Sequence, residues 1–434
     1  MAALLVITMN LKENDPLILD LGRETDNPDA GVFCPPEALF GRHLAVVGAT
    51  GGGKSWTLAH LIEEASRFNS KIVLLDASGE FYRLDCGVFH ACIGRAEHPS
   101  EYEVVIPHEE LTEGDLFAIF KPSGVGQAPK MRAAIQSLKL ARLAPALSAD
   151  GTIFKAHRIK VEFEKARERH LSQIQNPLAQ FDIQHLPLQI QHECVEQQRS
   201  PQEPLVWGGP NGKELSQCMA LADRVQEVIH DPNLKCIFKP PRLPSIFEVI
   251  QEFISSSRYK ILRISLKSIP FGHNTREIIG NAIGRHLLLR AREGTFKQNP
   301  LVVAIDEAHQ FLSRTAREEN EYFPLDSFGL IAKEGRKYAL TVCLATQRPR
   351  DIPEDILSQI GSYLIHRITN HLDLSIIERA AGTIDPQAMG RIPFLKPGEA
   401  ILMTVSIPRL LQIKVNHPRA VPDSQGPDYQ AYWR

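Results

Sequence analysis

Residues 46–56 read VVGATGGGKSW: two valines lead into a glycine-rich loop, which ends in a lysine, a serine and a tryptophan. The stretch fulfils the pattern G-x-x-x-x-G-K-[ST], with Gly48 as its first glycine and Lys54 and Ser55 at its end. A loop with so few side chains lets backbone N–H groups turn inward around an oxyanion, and the N-terminus of a following helix adds a positive dipole. The stretch therefore predicts a phosphate-binding loop within an α/β fold.

The residues on either side of this loop supply the context that a phosphate site needs. Residues 44–47 are apolar and predict a short buried strand, and Leu58 and Ile62 fall on one face of an amphipathic helix after the loop. We expect Lys54 to reach the β- and γ-phosphates of ATP and Ser55 to bind Mg²⁺. The alternative is a glycine-rich turn without a ligand.

The composition is that of an ordinary globular protein without extreme charge. Of 434 residues, 43% are hydrophobic and 23% are charged, and the formal net charge is -2. This balance neither requires nor excludes nucleic acid, so a DNA site would have to be a local basic patch. No apolar run approaches the ~18 residues of a membrane span, and the N-terminus lacks the basic start of a signal peptide. The seven cysteines are scattered, which fits reduced thiols in a cytoplasmic protein.

Strand and helix patterns alternate in two separate parts of the chain, which predicts an α/β fold with a mostly parallel sheet covered by helices on both faces. The stretch between them is rich in glutamine, histidine, glutamate and proline, and it predicts an inserted, partly helical subdomain. The predicted organisation is a leader (1–40), a first core part (41–149), the insertion (150–244), a second core part (245–416) and an extended tail (417–434).

A second half of the nucleotide site is predicted by the sequence PLVVAIDEAH, in which apolar residues end in Asp306 and Glu307. Ligands of α/β sheets lie at the carboxyl ends of strands, where this acidic pair falls. We expect Asp306 to hold Mg²⁺ and Glu307 to polarise the attacking water, a contribution of ~10²–10⁴ in rate. The alternative is an acidic pair that caps the next helix.

Two further residues are candidates for sensing and stabilising the γ-phosphate. Gln347 lies at the tip of the predicted strand at 339–349, where an amide could detect the loss of the γ-phosphate; a polar turn before proline is the alternative. Arg336 lies in the basic turn KEGRK, and it is a candidate arginine finger for a neighbouring subunit or a solvated charge. The predicted catalytic residues are Lys54, Glu307, Gln347 and Arg336, and the predicted nucleotide ligands are Gly48, Gly51, Gly52, Gly53, Lys54, Ser55, Trp56 and Asp306.

Several stretches together resemble the HerA branch of the HerA/FtsK P-loop ATPases. They are DASGEF (76–81), IDEAH (305–309), AKEGRKYALTVCLATQRP (332–349), DIPEDILSQIGSYLIHRITN (351–370) and PGEAILMTVSIPRLLQIKV (397–415). The resemblance implies a RecA-like core with a helical insertion, homo-oligomeric hexamer rings, and ATP-driven movement on double-stranded DNA. It also implies the roles given above for Lys54, Ser55, Asp306, Glu307 and Gln347, and a role in trans for Arg336. Arg42 is a second candidate for a contact across a subunit boundary.

The resemblance leaves the biological setting open. Relatives that act in DNA-end resection usually carry a small β-barrel before the P-loop, and the forty residues before Gly41 are too few for that domain. Bacterial relatives are often paired with an effector in antiphage defence, such as a nuclease or an NAD-consuming enzyme, and we expect a partner of this kind. The alternatives are an ATP-binding scaffold that organises an effector with little DNA movement, and a coupling ATPase of secretion or conjugation.

Three weaker features complete the sequence-based predictions. KPSGVGQAPK (121–130), predicted to be flexible, and SRTAR (313–317) are candidate DNA-contacting loops or plain solvent loops. The tail aromatics Tyr429, Tyr432 and Trp433 are candidate partner anchors. A set of two cysteines and two histidines matches no common zinc spacing and is better explained as part of a strand; its members are Cys86, His90, Cys92 and His98.

Overall fold

The structure is a computed structural model, and it describes residues 4–6, 17–312, 325–382, 386–404, 410–424, 429 and 433. Thirteen strands of the described residues form one sheet in the order β1-β3-β2-β13-β12-β11-β4-β10-β9-β5-β8-β6-β7. The strands are β1 (Leu4–Val6), β2 (Leu19–Glu24), β3 (Gly31–Cys34), β4 (Leu44–Val47), β5 (Lys71–Asp76), β6 (Val88–Ile93), β7 (Tyr102–Val104), β8 (Ile261–Ser265), β9 (Leu301–Ile305), β10 (Leu340–Thr346), β11 (Ser362–Ile365), β12 (Glu399–Thr404) and β13 (Leu411–Val415).

Helices connect and cover these strands. They are α1 (Pro36–Phe40), α2 (Lys54–Ser66), α3 (Glu113–Phe120), α4 (Gly124–Leu143), α5 (Lys160–Arg169), α6 (Leu171–Ile174), α7 (Leu186–His192), α8 (Gly212–Ile229), α9 (Lys235–Phe238), α10 (Ile246–Ser255), α11 (Thr275–Arg292), α12 (His309–Leu312), α13 (Ser327–Glu334), α14 (Glu354–Leu357), α15 (His371–Ala381) and α16 (Pro386–Arg391). Within the described ranges, no helix combines the length and apolar character needed to cross a membrane.

The centre of the sheet is parallel, which confirms the predicted fold class. From β11 to β6, each strand runs parallel to its neighbours. The central strands β4 and β5 are buried along their whole length, as expected for a sheet covered on both faces. Antiparallel pairs join β11, β12, β13, β2 and β3 on one side, so strands from the predicted leader also enter the sheet.

The chain divides into two compact units. The first consists of Met1–Glu103, Ile246–Ser268 and Ile279–Arg434, and the second of Val104–Ser245 and Ile269–Ile278. The second unit begins well before residue 150, where the sequence placed the start of the insertion. The physical reason is that α4 packs against α7 and α8, so the helices before residue 150 share a core with those after it.

The prediction that residues 121–130 form a flexible loop is wrong, because α4 begins at Gly124. Gly124, Gly126 and Pro129 suggested a loop, since glycine and proline are poor helix formers. The Gln127 side-chain oxygen accepts the N–H of Ser123 at 2.8 Å, which ties down the start of the helix. Tertiary packing and this local hydrogen bond outweigh the unfavourable propensities.

Candidate nucleotide-hydrolysis site

The glycine-rich loop connects β4 to α2, as the sequence predicted. Gly53 has a φ of 109°, a left-handed conformation that favours glycine, immediately before the first helical residue, Lys54. Gly48 is required for a different reason: a Cβ there would lie 2.5 Å from the Cβ of His366. The loop is therefore held close to the backbone after β11, with its helix N-terminus free to face an anion.

Lys54 lies at the wall of a cleft with a volume of about 450 Å³. Burial lowers the pKa of Lys54, and the charges of Glu307, Asp306 and Glu80 oppose this effect. The cleft is lined by the phosphate loop, by the ends of β9 and β10, and by the segment after β13. The lining residues are Thr50, Gly51, Gly53, Lys54, Ser55, Trp56, Thr57, Glu80, Glu307, Gln347, Pro397, Gly398, Lys414, Val415, Asn416, His417 and Ser424. The cleft thus continues from the phosphate loop to an aromatic end, where the rings of Trp56 and His417 meet edge to face.

The acidic pair follows β9 directly. Asp306 is only 2% exposed, and burial raises its pKa well above the usual range. The negative charges of Asp76, Glu307 and Glu80 raise the pKa of Asp306 further. Lys54 opposes that rise. Glu307 has a φ of 49°, an uncommon left-handed conformation for a residue with a side chain. Strain of this kind concentrates at functional sites, where the surrounding structure holds it in place.

Gln347 joins the two halves of the site. It follows β10, which lies between β4 and β9 in the sheet. Its amide Nε2 donates to Glu307 Oε1 at 3.0 Å, and its Oε1 accepts the hydroxyl of Thr50 at 2.5 Å. The other carboxylate oxygen of Glu307 lies 3.2 Å from Nδ1 of His309. The Gln347 amide thus holds the Glu307 carboxylate beside the phosphate loop. The same polar groups could form hydrogen bonds with a ligand instead.

The oxygen donors at this point suit a small hard cation. Ser55 offers a hydroxyl at the start of α2, and Asp306 offers a carboxylate whose pKa is raised by burial and then by the like charges around it. Mg²⁺ binds through one or two protein oxygens together with substrate phosphates, so a pair of this kind fits it. Throughout the part of the chain that the structure describes, no three His, Cys, Asp or Glu side chains form a metal-binding group.

Two predicted arginines do not line this cleft. Arg336 lies in a short turn between α13 and β10, and its side chain is exposed, as is that of Arg42 before β4. Neither is among the residues that form the cleft wall. An exposed guanidinium is the arrangement that a contact to another chain would need, and such a role stays a prediction.

The remaining sequence candidates divide into those described and those outside the described residues. SRTAR (313–317) and Tyr432 lie outside them. In the tail, the rings of Tyr429 and Trp433 pack edge to face at 4.6 Å. The four residues considered for zinc are held in separate ways: for example, His90 Nε2 bonds to the Leu84 carbonyl, and the rings of His98 and Tyr82 stack.

Comparison with known proteins shows a similarity to one group of helicases. The family model for the central domain of helicase HerA matches residues 19–198. The DNA double-strand break repair helicase HerA of Saccharolobus solfataricus is 24% identical over 397 residues, covering 91% of this chain and 68% of that protein. A probable HerA of Methanocaldococcus jannaschii is 22% identical over 417 residues, covering 91% and 76%. Over most of its length the chain is thus similar to HerA helicases.

Two solved structures share the fold of this chain over most of its length. VirB4 of Thermoanaerobacter pseudethanolicus superposes with a TM-score of 0.55 at 12% identity, over 95% of this chain and 99% of that one. The bacterial conjugative coupling protein TrwB, in its form lacking the N-terminal segment, gives 0.52 at 13% identity, over 97% and 92%. At these identities the two likenesses show the fold of the chain, and its activity is taken up as a proposal below.

The sequence did not predict a buried network of charged side chains behind the candidate nucleotide site. Asp76 is fully buried and accepts the N–H groups of Gly79 at 2.7 Å and Phe81 at 3.0 Å. Arg263 donates to Asp76 at 2.7 Å and to Glu101 at 2.8 Å. The motif DASGEF was noticed in the sequence, but the arginine partner comes from β8, which no local pattern connects to β5.

His366 is a second missed residue, and it supports the P-loop from behind. It is fully buried, with Nδ1 2.8 Å from the Glu399 carbonyl and Nε2 2.9 Å from the Thr57 hydroxyl. Because a carbonyl can only accept, Nδ1 carries the hydrogen and Nε2 accepts from Thr57. Burial lowers the pKa of His366 to about 4, which keeps the ring neutral. The motif RITN lies just after this residue in the sequence, and its strand position was the only available signal.

Proposed function

We propose that this protein hydrolyses ATP with Mg²⁺ at the described site and uses the energy to move double-stranded DNA through a ring of identical subunits. The observation that carries the proposal is the link from Thr50 through Gln347 to Glu307, which joins the phosphate loop to a candidate general base. A site that only binds nucleotide has no need for a carboxylate held in this strained position.

Each side chain has a role in this proposal that follows from its position. Lys54 neutralises charge on the β- and γ-phosphates, and Ser55 and Asp306 hold Mg²⁺, which supplies Lewis-acid stabilisation of the phosphate oxygens. Glu307 orients the attacking water and takes up its proton, and Gln347 holds Glu307 in place.

Trp56 and the P-loop glycines complete the proposed nucleotide contacts. Gly51, Gly52 and Gly53 present backbone to the phosphates, since side chains would block the approach. Trp56 offers a flat apolar surface at the far end of the cleft, which suits the base of ATP.

Subunit contacts and DNA form the outer part of the proposal. The exposed Arg336 would complete the site of a neighbouring subunit, with Arg42 as a second candidate, so a ring such as a hexamer is required for full activity. The relatives are described as helicases, which supports DNA as the substrate that is moved. We further propose a cytoplasmic setting and an effector partner, such as a nuclease or an NAD-consuming enzyme of antiphage defence, for which the exposed Trp433 is a candidate anchor.

Steady-state ATP hydrolysis, with and without linear double-stranded DNA, tests the proposal. We expect DNA to raise the rate several-fold and Glu307→Gln to lower it by about 10²–10⁴ while nucleotide still binds. Glu252→Gln is the matched control, because it makes the same chemical change at an exposed position of α10. Slow hydrolysis that DNA does not change would overturn the motor and favour an ATP-binding scaffold that organises an effector.

A further inference from the structure

Glu80 belongs to the DASGEF motif, and nothing so far gives it a role. It follows β5 in a loop whose backbone is fixed by Asp76: Asp76 Oδ1 accepts the N–H of Glu80 at 3.1 Å and that of Gly79 at 2.7 Å. Asp76 is in turn held by Arg263 at 2.7 Å, with both side chains fully buried. The backbone of Glu80 is thus anchored to the core of the sheet.

The side chain of Glu80 lines the nucleotide cleft together with Lys54, Ser55 and Glu307. The hydroxyls of Ser55 and Ser78 are hydrogen-bond partners of the Glu80 carboxylate. A serine hydroxyl has one hydrogen and two lone pairs. When the hydrogen is donated to Glu80, the lone pairs of Ser55 remain free for a cation, and the oxygen cannot turn its hydrogen toward that cation.

The second oxygen of Glu80, Oε2, is buried and has no hydrogen-bond partner within the described part of the chain. A buried carboxylate oxygen without a partner is costly, so such atoms usually face a water or an ion that completes the site. Because the Glu80 carboxylate already engages the Ser55 hydroxyl and Mg²⁺ keeps several of its waters, Glu80 fits the outer layer of such a site, beside a magnesium-bound water.

The local charge balance supports the same role. The carboxylates of Glu80 and Glu307 act on Asp306 together with that of Asp76, which is paired with Arg263, and Lys54 opposes them. A divalent cation relieves this excess of negative charge, and Mg²⁺ keeps several of its waters when it binds to proteins.

We propose that Glu80 positions the Mg²⁺ of the ATP complex by accepting the hydrogen of the Ser55 hydroxyl and a hydrogen of one magnesium-bound water. Glu80 is thus a positioning residue that acts through Ser55 and water. The inference rests on the proposed ATP hydrolysis at this site and adds a partner for the cation. Outer groups of this kind commonly change metal affinity by about 10–100-fold when they are removed.

The test compares the affinity for a fluorescent, non-hydrolysable ATP analogue in excess Mg²⁺ and in EDTA. The variants are Glu80→Gln, which removes the charge and keeps the shape, and Glu80→Asp, which keeps the charge and shortens the side chain. Glu252→Gln, exposed on α10, is the control for the chemical change itself. Circular dichroism verifies that each variant is folded, and Glu80→Asp still tests the proposal if Glu80→Gln fails to fold.

We expect Mg²⁺ to tighten binding to the parent protein, and we expect Glu80→Gln to lose about 10-fold of this enhancement. In EDTA, Glu80→Gln should bind the analogue as tightly as the parent or more tightly, because one charge that repels the phosphates is gone. Glu80→Asp should lie between the two. A purely structural role would weaken binding equally in both conditions.

Two results would overturn the inference. One is a full Mg²⁺ enhancement in Glu80→Gln, and the other is an equal loss of affinity with and without Mg²⁺. If the parent itself binds no nucleotide in Mg²⁺, the proposed ATP hydrolysis fails and takes the inference with it. A parent that binds nucleotide while Glu80→Gln keeps the full enhancement refutes the role of Glu80 alone.

Discussion

The side-chain amide of Gln347 donates to the carboxylate of Glu307 across 3.0 Å, although the two residues belong to different strand ends. The same amide group accepts the hydroxyl of Thr50 on the phosphate loop. If ATP binds as proposed, its γ-phosphate would compete for these hydrogen bonds, and we expect Gln347 to respond to the phosphate and to move Glu307 as it does so. The parallel order β4-β10-β9 creates this relationship, since it places the end of β10 between the other two.

Replacing Gln347 by alanine should slow hydrolysis while nucleotide binding is retained. We expect kcat to fall by about 10²-fold, because the general base loses the group that orients it. Affinity for a non-hydrolysable ATP analogue should change less than about threefold, since Lys54 and the loop glycines remain. Steady-state kinetics and fluorescence titration measure the two quantities separately.

Gln359→Ala is the control for this prediction, because Gln359 is exposed and lies outside the cleft. Equal losses of kcat and of nucleotide affinity in Gln347→Ala would show that Gln347 supports the shape of the loop and has no separate effect on the chemical step.

The parts of the site that the sequence predicted are those with local signals. The phosphate loop lies between an apolar strand and an amphipathic helix, and Asp306 and Glu307 directly follow an apolar run that became β9. Strand ends of a parallel sheet converge on one edge, so the position of Gln347 near this pair followed from the order of the strands. The roles of these residues stay predictions that the experiments above test.

The parts that the sequence did not predict depend on distant pairing. Arg263 meets Asp76 only because β8 lies beside β5, and the two residues are 187 positions apart in the sequence. His366 directly follows β11 and supports the phosphate loop, although the loop lies more than three hundred residues earlier in the sequence. The start of α4 was missed for another reason: packing on α7 and α8 overrides the preferences of its glycines and proline.

Arg336 should act on the ATP of a neighbouring subunit, and a mixing experiment tests this directly. Arg336→Ala and Glu307→Gln should each be nearly inactive alone. In a 1:1 mixed ring, roughly one quarter of the interfaces would combine an intact Glu307 with an intact Arg336 from the next chain, because ring interfaces are heterologous. Hydrolysis should therefore recover in the mixture, as measured by steady-state phosphate release.

The control for this mixture pairs Lys54→Ala with Glu307→Gln, since both changes affect the same side of each interface. That pair should show no recovery, because the two defects lie in one half-site and no interface of the mixed ring gains both groups. If the Arg336→Ala mixture also stays inactive, Arg336 acts within its own chain or serves only as a surface charge.

Arg263 should be a large contributor to the stability of the first unit. It is fully buried between Asp76 and Glu101, and Arg263→Leu would leave two carboxylates in the core without their cation. Removing one partner of a buried ion pair costs about 3–5 kcal/mol. We expect the free energy of unfolding of Arg263→Leu, measured by urea denaturation, to fall by this amount. Arg258→Leu, at an exposed position, should change it little. A change below about 0.5 kcal/mol would contradict the role of this network.

The stability of the protein should decrease between about pH 6.5 and about pH 4, because two buried histidines must be neutral in the folded state. Burial lowers the pKa of His43 and of His366 to about 4. Both groups have a folded pKa below the unfolded value near 6.5, so the unfolded chain binds more protons in this window. Their contribution is complete above about pH 6.5 and is lost as the pH falls, by up to about 1.4 kcal/mol per pH unit for each histidine.

Urea unfolding at about pH 7 and about pH 5 measures this slope. His366→Asn should be less stable at pH 7 and should show a smaller decrease toward pH 5, because one of the histidines that must stay neutral is gone. His371→Gln, at an exposed position, should keep the slope of the parent. Since His366 accepts from Thr57 only while its Nε2 is unprotonated, the nucleotide affinity of the folded parent should stay constant to about pH 5 and fall only as the pH approaches about 4. An unchanged slope in His366→Asn would show that other groups control the acid sensitivity.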